Sequence, residues 1–398
     1  MDAIFDKKKN RLGTFCTQWD FIKDRFGEND LLPFSISDTD FECPPLVLKA
    51  LKARIEHGVF GYTRWNHDAY KQAIIRWYDK QLNMNIDQDA IVYSPSVCYS
   101  IAKIMRMKTD IGDHVVFNTP AYDAFFELIA HNDRIGIGSD LTQTDGYFNI
   151  NFEDLEQKLS HPKAKIFLLC SPHNPTGRVW TRQELSQLVG LCQKHHVFLI
   201  SDEIHMDIIR SGIMHHPILS VASDLETVCI CTSASKTFNI PGLGGAYAII
   251  PDQTTRIAFL LQLKERDHVS HASILGTTAL MAGYSGAAAW LCELNGYLEH
   301  NMAFLSDFFK KHFPQIHFRI PESTFLAWID MNAFPYTEDE IQHALIHVGK
   351  VAFMKGSTYG QVGTNYLRLN VGCSRAKLED GLSRFKKAMD SLAKRSDQ

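Results

Sequence analysis

The chain has 398 residues, 45% of them hydrophobic, and its 41 Lys+Arg against 45 Asp+Glu give a formal net charge of −4. At roughly 150 residues per domain this is room for two or three domains with a large core. The charge balance argues against a nucleic-acid partner held by bulk charge and against a basic membrane-binding face.

The chain opens on MDAIFDKKKNRLGT, which is polar, and no apolar core of an export signal follows it. A cytoplasmic location is therefore expected, with the nine cysteines as reduced thiols. Farther along, SPSVCYSIAKI (94–104) has the pattern of a turn feeding a helix. KIFLLCSP (165–172) is a short apolar run ending in turn residues, and Thr181 to Glu184 form a capping box with Leu185, Leu188, Val189 and Cys192 behind it. VFLISDE (197–203), TVCICTSASK (227–236) and GAYAII (245–250) are further apolar runs. Cys229 and Cys231 would share one face of a strand as small buried groups. Runs such as LGGAYAIIP are too short to cross a bilayer, which takes about 20 residues. This β-α-β rhythm predicts an α/β fold with a mostly parallel sheet flanked by helices.

After about residue 290 the texture changes. LCELNGYLEHNMAFLSDFFKKHF predicts a long amphipathic helix, STFLAWIDM a strand, EDEIQHALIHVG a helix, NYLRLNVG a strand and KLEDGLSRFKKAMDSLAKRS a closing helix. This predicts a smaller α+β domain. The expected division is a large domain over 48–288 and a small domain from 1–47 and 289–398.

Open α/β sheets bind ligands outside the carboxyl ends of their strands. Three polar clusters fall there, at 171–177, 201–205 and 232–236. They supply a lysine (Lys236), an acid (Asp202) and an amide (Asn174). An aldehyde cofactor of the pyridoxal-phosphate type demands a lysine to form an imine and an acid to keep its ring nitrogen protonated. Each residue also has a plainer reading. Lys236 could be a surface lysine, Asp202 or Ser201 a helix N-cap, and Asn174 a turn residue beside Pro175. The eighteen histidines include no HExxH spacing, and no metal site is expected. Gly242, Gly244 and Gly245 precede a strand rather than a helix, so a dinucleotide-loop reading fails on context.

SPHNPTGRVW, SDEIHMD and SASKTFNIPGL, in that order, resemble the fold-type I PLP enzymes of the class I/II aminotransferase group. GTFCTQWD, LLPFSISDTDF, HGVFGYTRW, TPAYDAFF and YLRLNVGCSR narrow the resemblance to the MalY/PatB branch of cysteine-S-conjugate β-lyases, over nearly the whole chain. The resemblance implies pyridoxal 5'-phosphate as cofactor and Lys236 as the Schiff-base lysine and mover of the Cα proton. Asp202 would pair with the pyridinium nitrogen, Asn174 would bond the phenolic oxygen and Tyr122 would stack on the ring. His205 stands where aspartate aminotransferases have a tyrosine, and the branch also writes histidine there. The phosphate arginine that follows the lysine in those enzymes is missing. Phosphate binding would then fall on the backbone N–H groups of Val97 and Cys98 at a helix N-terminus, on the Ser233 hydroxyl, and on Tyr62 of a neighbouring subunit. Unaided by the resemblance, Tyr62 would pass for a core residue. Arg368 would grip the substrate α-carboxylate with its planar fork. Lys355 stands where the branch often has proline, with no role assigned.

The implied activity is α,β-elimination of an amino-acid thioether to a thiol, pyruvate and ammonia by a homodimer with shared active sites. A PLP aminotransferase is the first alternative, since fold does not fix reaction type. The second is a regulatory protein binding a transcription activator of the MalT type, with lyase activity secondary.

Overall fold

The computed structural model describes residues 4–396. Its centre is a seven-stranded sheet built from β1 (Ile91–Ser94), β2 (His114–Thr119), β3 (Ile135–Asp140), β4 (Ala164–Cys170), β5 (Phe198–Asp202), β6 (Val228–Thr232) and β7 (Ala246–Ile249). The spatial order is β1-β7-β6-β5-β4-β2-β3. The pairs β3–β2, β2–β4, β4–β5 and β5–β6 are parallel. Strands β1, β5, β6 and β7 are buried along their whole length, as expected of a sheet covered on both faces.

The predicted apolar run GAYAII is the strand β7, but it runs antiparallel to both its neighbours. A parallel return needs a crossover, usually a helix. The connection over 233–245 carries only a short 3-10 turn, Pro241–Leu243, so the chain re-enters the sheet from the same edge it left.

Helices Val97–Lys108, Asp123–Ala130, Phe152–Leu159 and Arg182–Lys194 lie against this sheet. The capping box at Thr181 and Glu184 is formed in both directions, and Leu185, Leu188, Val189 and Cys192 make the buried stripe of its helix. Among the described residues no helix is long and apolar enough to cross a membrane.

The C-terminal part begins with the helix Ala288–His312. It continues with an antiparallel sheet of β8 (Leu326–Asp330), β9 (Met354–Lys355) and β10 (Tyr366–Asn370), ordered β8-β10-β9. The helix Arg375–Ser396 closes the described chain. Leu32–Pro33 pairs in parallel with Val351–Ala352, tying the N-terminal segment to this part. These pairings support the proposed division into 48–288 against 1–47 with 289–398, of which 1–3 and 397–398 lie outside the described residues. One apolar core nevertheless runs through both, from Phe34 and Phe385 to Ile166 and Leu199.

Candidate active site

The carboxyl ends of β1, β4, β5 and β6 and the start of β7 surround a cavity of about 220 Å³. Eight of the ten candidate residues line it: Lys236, Asp202, Asn174, Tyr122, His205, Val97, Cys98 and Ser233. The strand-end clusters, far apart in sequence, therefore meet because parallel strands bring their ends to one edge.

Lys236 follows β6, is partly exposed and lines this cavity. Its Nζ donates to the carbonyl of Ser37 at 2.5 Å. Burial lowers its pKa, with Asp38 opposing and Arg368 adding to the effect. An amine in that condition gives up its proton more readily than a solvated lysine, so more of it is free to act as a nucleophile. The adjoining Thr237 hydroxyl donates to Asp207 Oδ2 at 2.6 Å, and Trp77 Nε1 donates to Asp207 Oδ1 at 3.0 Å. Ser233 behaves differently from expectation. Its single hydroxyl proton goes to the Gly245 carbonyl at 2.9 Å, and its oxygen accepts from Ser235 N–H at 3.1 Å. In this arrangement it braces the lysine turn and has no proton left for a phosphate.

Asp202 ends β5 and is buried. It accepts from Ile204 N–H at 3.1 Å, and a loop rather than a helix follows, so it caps no helix. Burial pushes its pKa up to about 7, against the pull of that N–H and of Lys236. A carboxylate so placed seeks a cation. The neighbouring Glu203 turns away into the protein and accepts from Ser201 Oγ and Ile218 N–H, with His215 beside it at 3.1 Å. His205 is buried, and burial pushes its pKa down to about 3, which keeps the ring neutral. Its Nδ1 has no partner among the described residues.

Asn174 follows β4, with its backbone N–H on Cys170 Sγ at 3.4 Å. Its Oδ1 accepts from Arg368 Nη1 at 3.2 Å. Arg368, on β10, stands behind Asn174 rather than on the cavity wall. Its Nη2 donates to the Ser35 carbonyl at 2.7 Å, its Cζ lies 4.6 Å from the Tyr359 ring centre, and its Nε–H is unpartnered among the described residues. Val97 and Cys98 begin the helix Val97–Lys108, where Ser96 caps Tyr99 N–H at 3.1 Å. The first N–H groups of a helix have no intrahelical partner and favour an anion. Burial pushes the Cys98 thiol up to about 11, so it stays neutral. Burial likewise raises the Tyr122 hydroxyl above its ordinary value.

Tyr62 lies apart. It is 92% exposed and lies against His271, with ring centres 4.7 Å apart. The unaided reading of Tyr62 as a core residue is thus corrected, because it sits in an irregular loop with Val59 and Phe60, also exposed. Lys355 is half-exposed, 3.6 Å from Asp339, and lines neither this cavity nor the one beside it.

Sequence reasoning assigned no role to residues 35–41, which form a strap beside the cavity. Ser35 and Ser37 offer carbonyls to Arg368 and Lys236. Asn370 Nδ2 holds the carbonyls of Ile36 at 2.6 Å and Asp38 at 2.5 Å. Asn239 holds Thr39 and Phe41 carbonyls at 2.9 and 2.7 Å. Arg11 bridges Asp38 and Asp40. The available signals were the polar run SISDTD between apolar neighbours and its place in the motif LLPFSISDTDF, to which no role was attached.

The aminotransferase class I and II family model matches residues 29–385. Protein MalY of Escherichia coli is 46% identical over 380 residues, covering 95% of this chain and 97% of that protein. Cystathionine beta-lyase PatB of Bacillus subtilis is 38% identical, covering 97% of this chain and 99% of that one. Among solved structures, cystalysin from Treponema denticola, which contains a pyridoxal 5'-phosphate cofactor, superposes with a TM-score of 0.92 at 31% identity over 98% of this chain and 99% of its own. The PLP-bound C-S lyase from Staphylococcus hominis gives 0.90 at 29% identity, over 96% and 97%. With a match across most of its length and relatives well above 30% identity, this chain belongs to the aminotransferase class I and II family, in the branch that holds MalY and PatB.

Proposed function

We propose that this chain is a pyridoxal-phosphate-dependent carbon–sulfur β-lyase. It would cleave amino-acid thioethers of the cystathionine type with water to a thiol, pyruvate and ammonia. The observation that carries the reading is one small cavity holding a buried amine, Lys236, with a buried carboxylate, Asp202, and an amide, Asn174, backed by an arginine. The names of the MalY/PatB relatives and of the C-S lyase structures support it.

The donor set fits the cofactor. Asp202 has no cation in direct contact and would hold a proton on the pyridine nitrogen, which in turn favours the carboxylate. Asn174 would offer its amide hydrogens to the phenolic oxygen, since its Oδ1 is already used by Arg368. The N–H groups of Val97 and Cys98 would take the phosphate, and Tyr122 would cover a ring face. When bound, pyridoxal phosphate supplies an electron sink that acidifies the substrate Cα–H and permits the Cβ–S bond to break.

The chain's own residues supply the rest. Lys236, released from the Ser37 carbonyl, would take the Cα proton in its deprotonated form, which its lowered pKa makes more accessible. Arg368 keeps an unpartnered Nε–H for the substrate α-carboxylate. His205 stays neutral and so adds no positive charge that would compete for Asp202.

The test is pyruvate release from L-cystathionine, with visible absorbance followed on addition of the cofactor. Lys236→Ala should lose at least about 10²–10⁴-fold in rate and fail to form the lysine-dependent absorbance. Near wild-type turnover in that variant would defeat the reading. Pyruvate and thiol appearing without a keto-acid acceptor separates the lyase from an aminotransferase.

A homodimer with Tyr62 completing the partner's site belongs to the same proposal, supported by the exposed Val59, Phe60 and Tyr62. An activator of the MalT type as regulatory partner rests on the likeness to MalY alone.

A further inference from the structure

We infer that a second cavity beside the first is a subsite for the far end of the substrate, and that it selects thioethers whose leaving thiol carries an amino-acid zwitterion. This rests on the lyase reading and adds to it the residues that would recognise the leaving group.

The second cavity has a volume of about 590 Å³. Ser37, Lys236 and Pro241 line both cavities, so the lysine stands at the passage between them. The inner space of about 220 Å³ has to take the cofactor ring and the reacting amino-acid end of the substrate. Lys236 must reach Cα, and Cβ and sulfur are the next atoms along. The sulfur substituent therefore leaves the inner cavity past Lys236, into the outer one.

The outer wall is charged in both signs. Arg11 is committed there: it is held by Asp38 at 2.7 Å and Asp40 at 2.9 Å, and Lys377 also holds Asp40 at 2.6 Å. That cluster forms a fixed floor. Lys9 and Glu42, by contrast, pair with each other at 2.7 Å while 46% and 50% exposed. An exposed pair of this kind contributes little and opens readily. A zwitterion can exchange into it, with its carboxylate on Lys9 and its ammonium on Glu42. Thr39 also borders this space and is buried, with a hydroxyl that has no partner among the described residues. A short uncharged thioether would leave the Lys9–Glu42 pair closed and gain nothing from it.

The experiment compares kcat/KM for L-cystathionine and S-ethyl-L-cysteine in the cofactor-loaded wild type and in Lys9→Met, Glu42→Gln and the double variant. Both positions are half-exposed, so the variants should fold normally. The double variant should lower the cystathionine-to-S-ethylcysteine ratio about fivefold, and raised salt should lower the ratio in wild type only. An unchanged ratio, or an equal fall for both substrates, overturns the subsite while leaving the lyase reading intact. Absence of pyruvate from both substrates in wild type overturns both.

Discussion

The Thr237 hydroxyl donates to Asp207 Oδ2 at 2.6 Å, one residue beyond the lysine that faces the cavity. This bond joins the turn after β6 to the loop after β5, the two segments that carry Lys236 and His205. Trp77 braces the same carboxylate from a helix outside the site, and Asn295 Nδ2 holds the Asp207 carbonyl at 2.9 Å. The lysine is thus positioned from behind by a residue that does not line its cavity.

Asp207→Ala should leave the buried Trp77 N–H and Thr237 O–H unpartnered. The expected loss is about 1–3 kcal/mol for each group, read by urea unfolding, with kcat falling more than KM rises. Thr237→Val should retain the Trp77 bond and lose less. Stability within about 0.5 kcal/mol of wild type in Asp207→Ala would remove the brace from the account.

Asp202 gives a pH signature in the cofactor-free protein. Its folded pKa, about 7, lies above its ordinary value of 3.8. The protonated form is thus favoured in the folded state. Its contribution to stability is complete below the unfolded pKa and is lost as pH rises through about 7. A shift of this size corresponds to about 4 kcal/mol at most. Asp202→Asn should accordingly gain on wild type between pH 5 and pH 8 in urea unfolding. Curves that stay parallel would contradict this.

Arg368→Lys keeps the charge but not the planar fork that spans Asn174 and Ser35. Loss of a charge-assisted bond should lower kcat/KM for any amino-acid thioether about 10- to 100-fold. The effect should be carried mainly by KM, measured under steady state. A change below about twofold would deny Arg368 the carboxylate.

Shared sites predict complementation. Lys236→Ala and Tyr62→Ala homodimers should both be weak, since each site lacks one contributor. Mixing the two by subunit exchange should restore about a quarter of wild-type sites, because half the dimers are hybrids with one intact site. Tyr62 acting within its own chain predicts no recovery.

The large sheet and the meeting of Lys236, Asp202 and Asn174 were legible because each cluster closes an apolar run, and parallel strands align their carboxyl ends. The reversed direction of β7 was not, since an apolar run carries no sign of which way it pairs. Tyr62 misled for a similar reason: an aromatic side chain in a short motif signals burial only on average. The strap over 35–41 and the brace at Asp207 escaped notice because both act through main-chain carbonyls or through residues remote in sequence. Trp77 and Asp207 touch only after the fold has formed. Ser233 shows the limit at a single atom. Its hydroxyl lies where expected, but the direction of its one proton depends on Gly245, a glycine with φ of +100° that shapes the turn beside it.

The reversed strand has a mechanical result. Thr232, where β6 ends, sits directly across from Tyr247 near the start of β7. Residues 233–245 are therefore an arc whose two feet stand on adjacent strands, with the Lys236 side chain near one foot. The arc is pinned along its length, at Thr237 by Asp207 and at Asn239 by the Thr39 and Phe41 carbonyls. Lengthening it by a single residue would displace that side chain, whereas an insertion in the exposed turn around Asp145 and Gly146, remote in the chain from the arc, has no comparable lever on it.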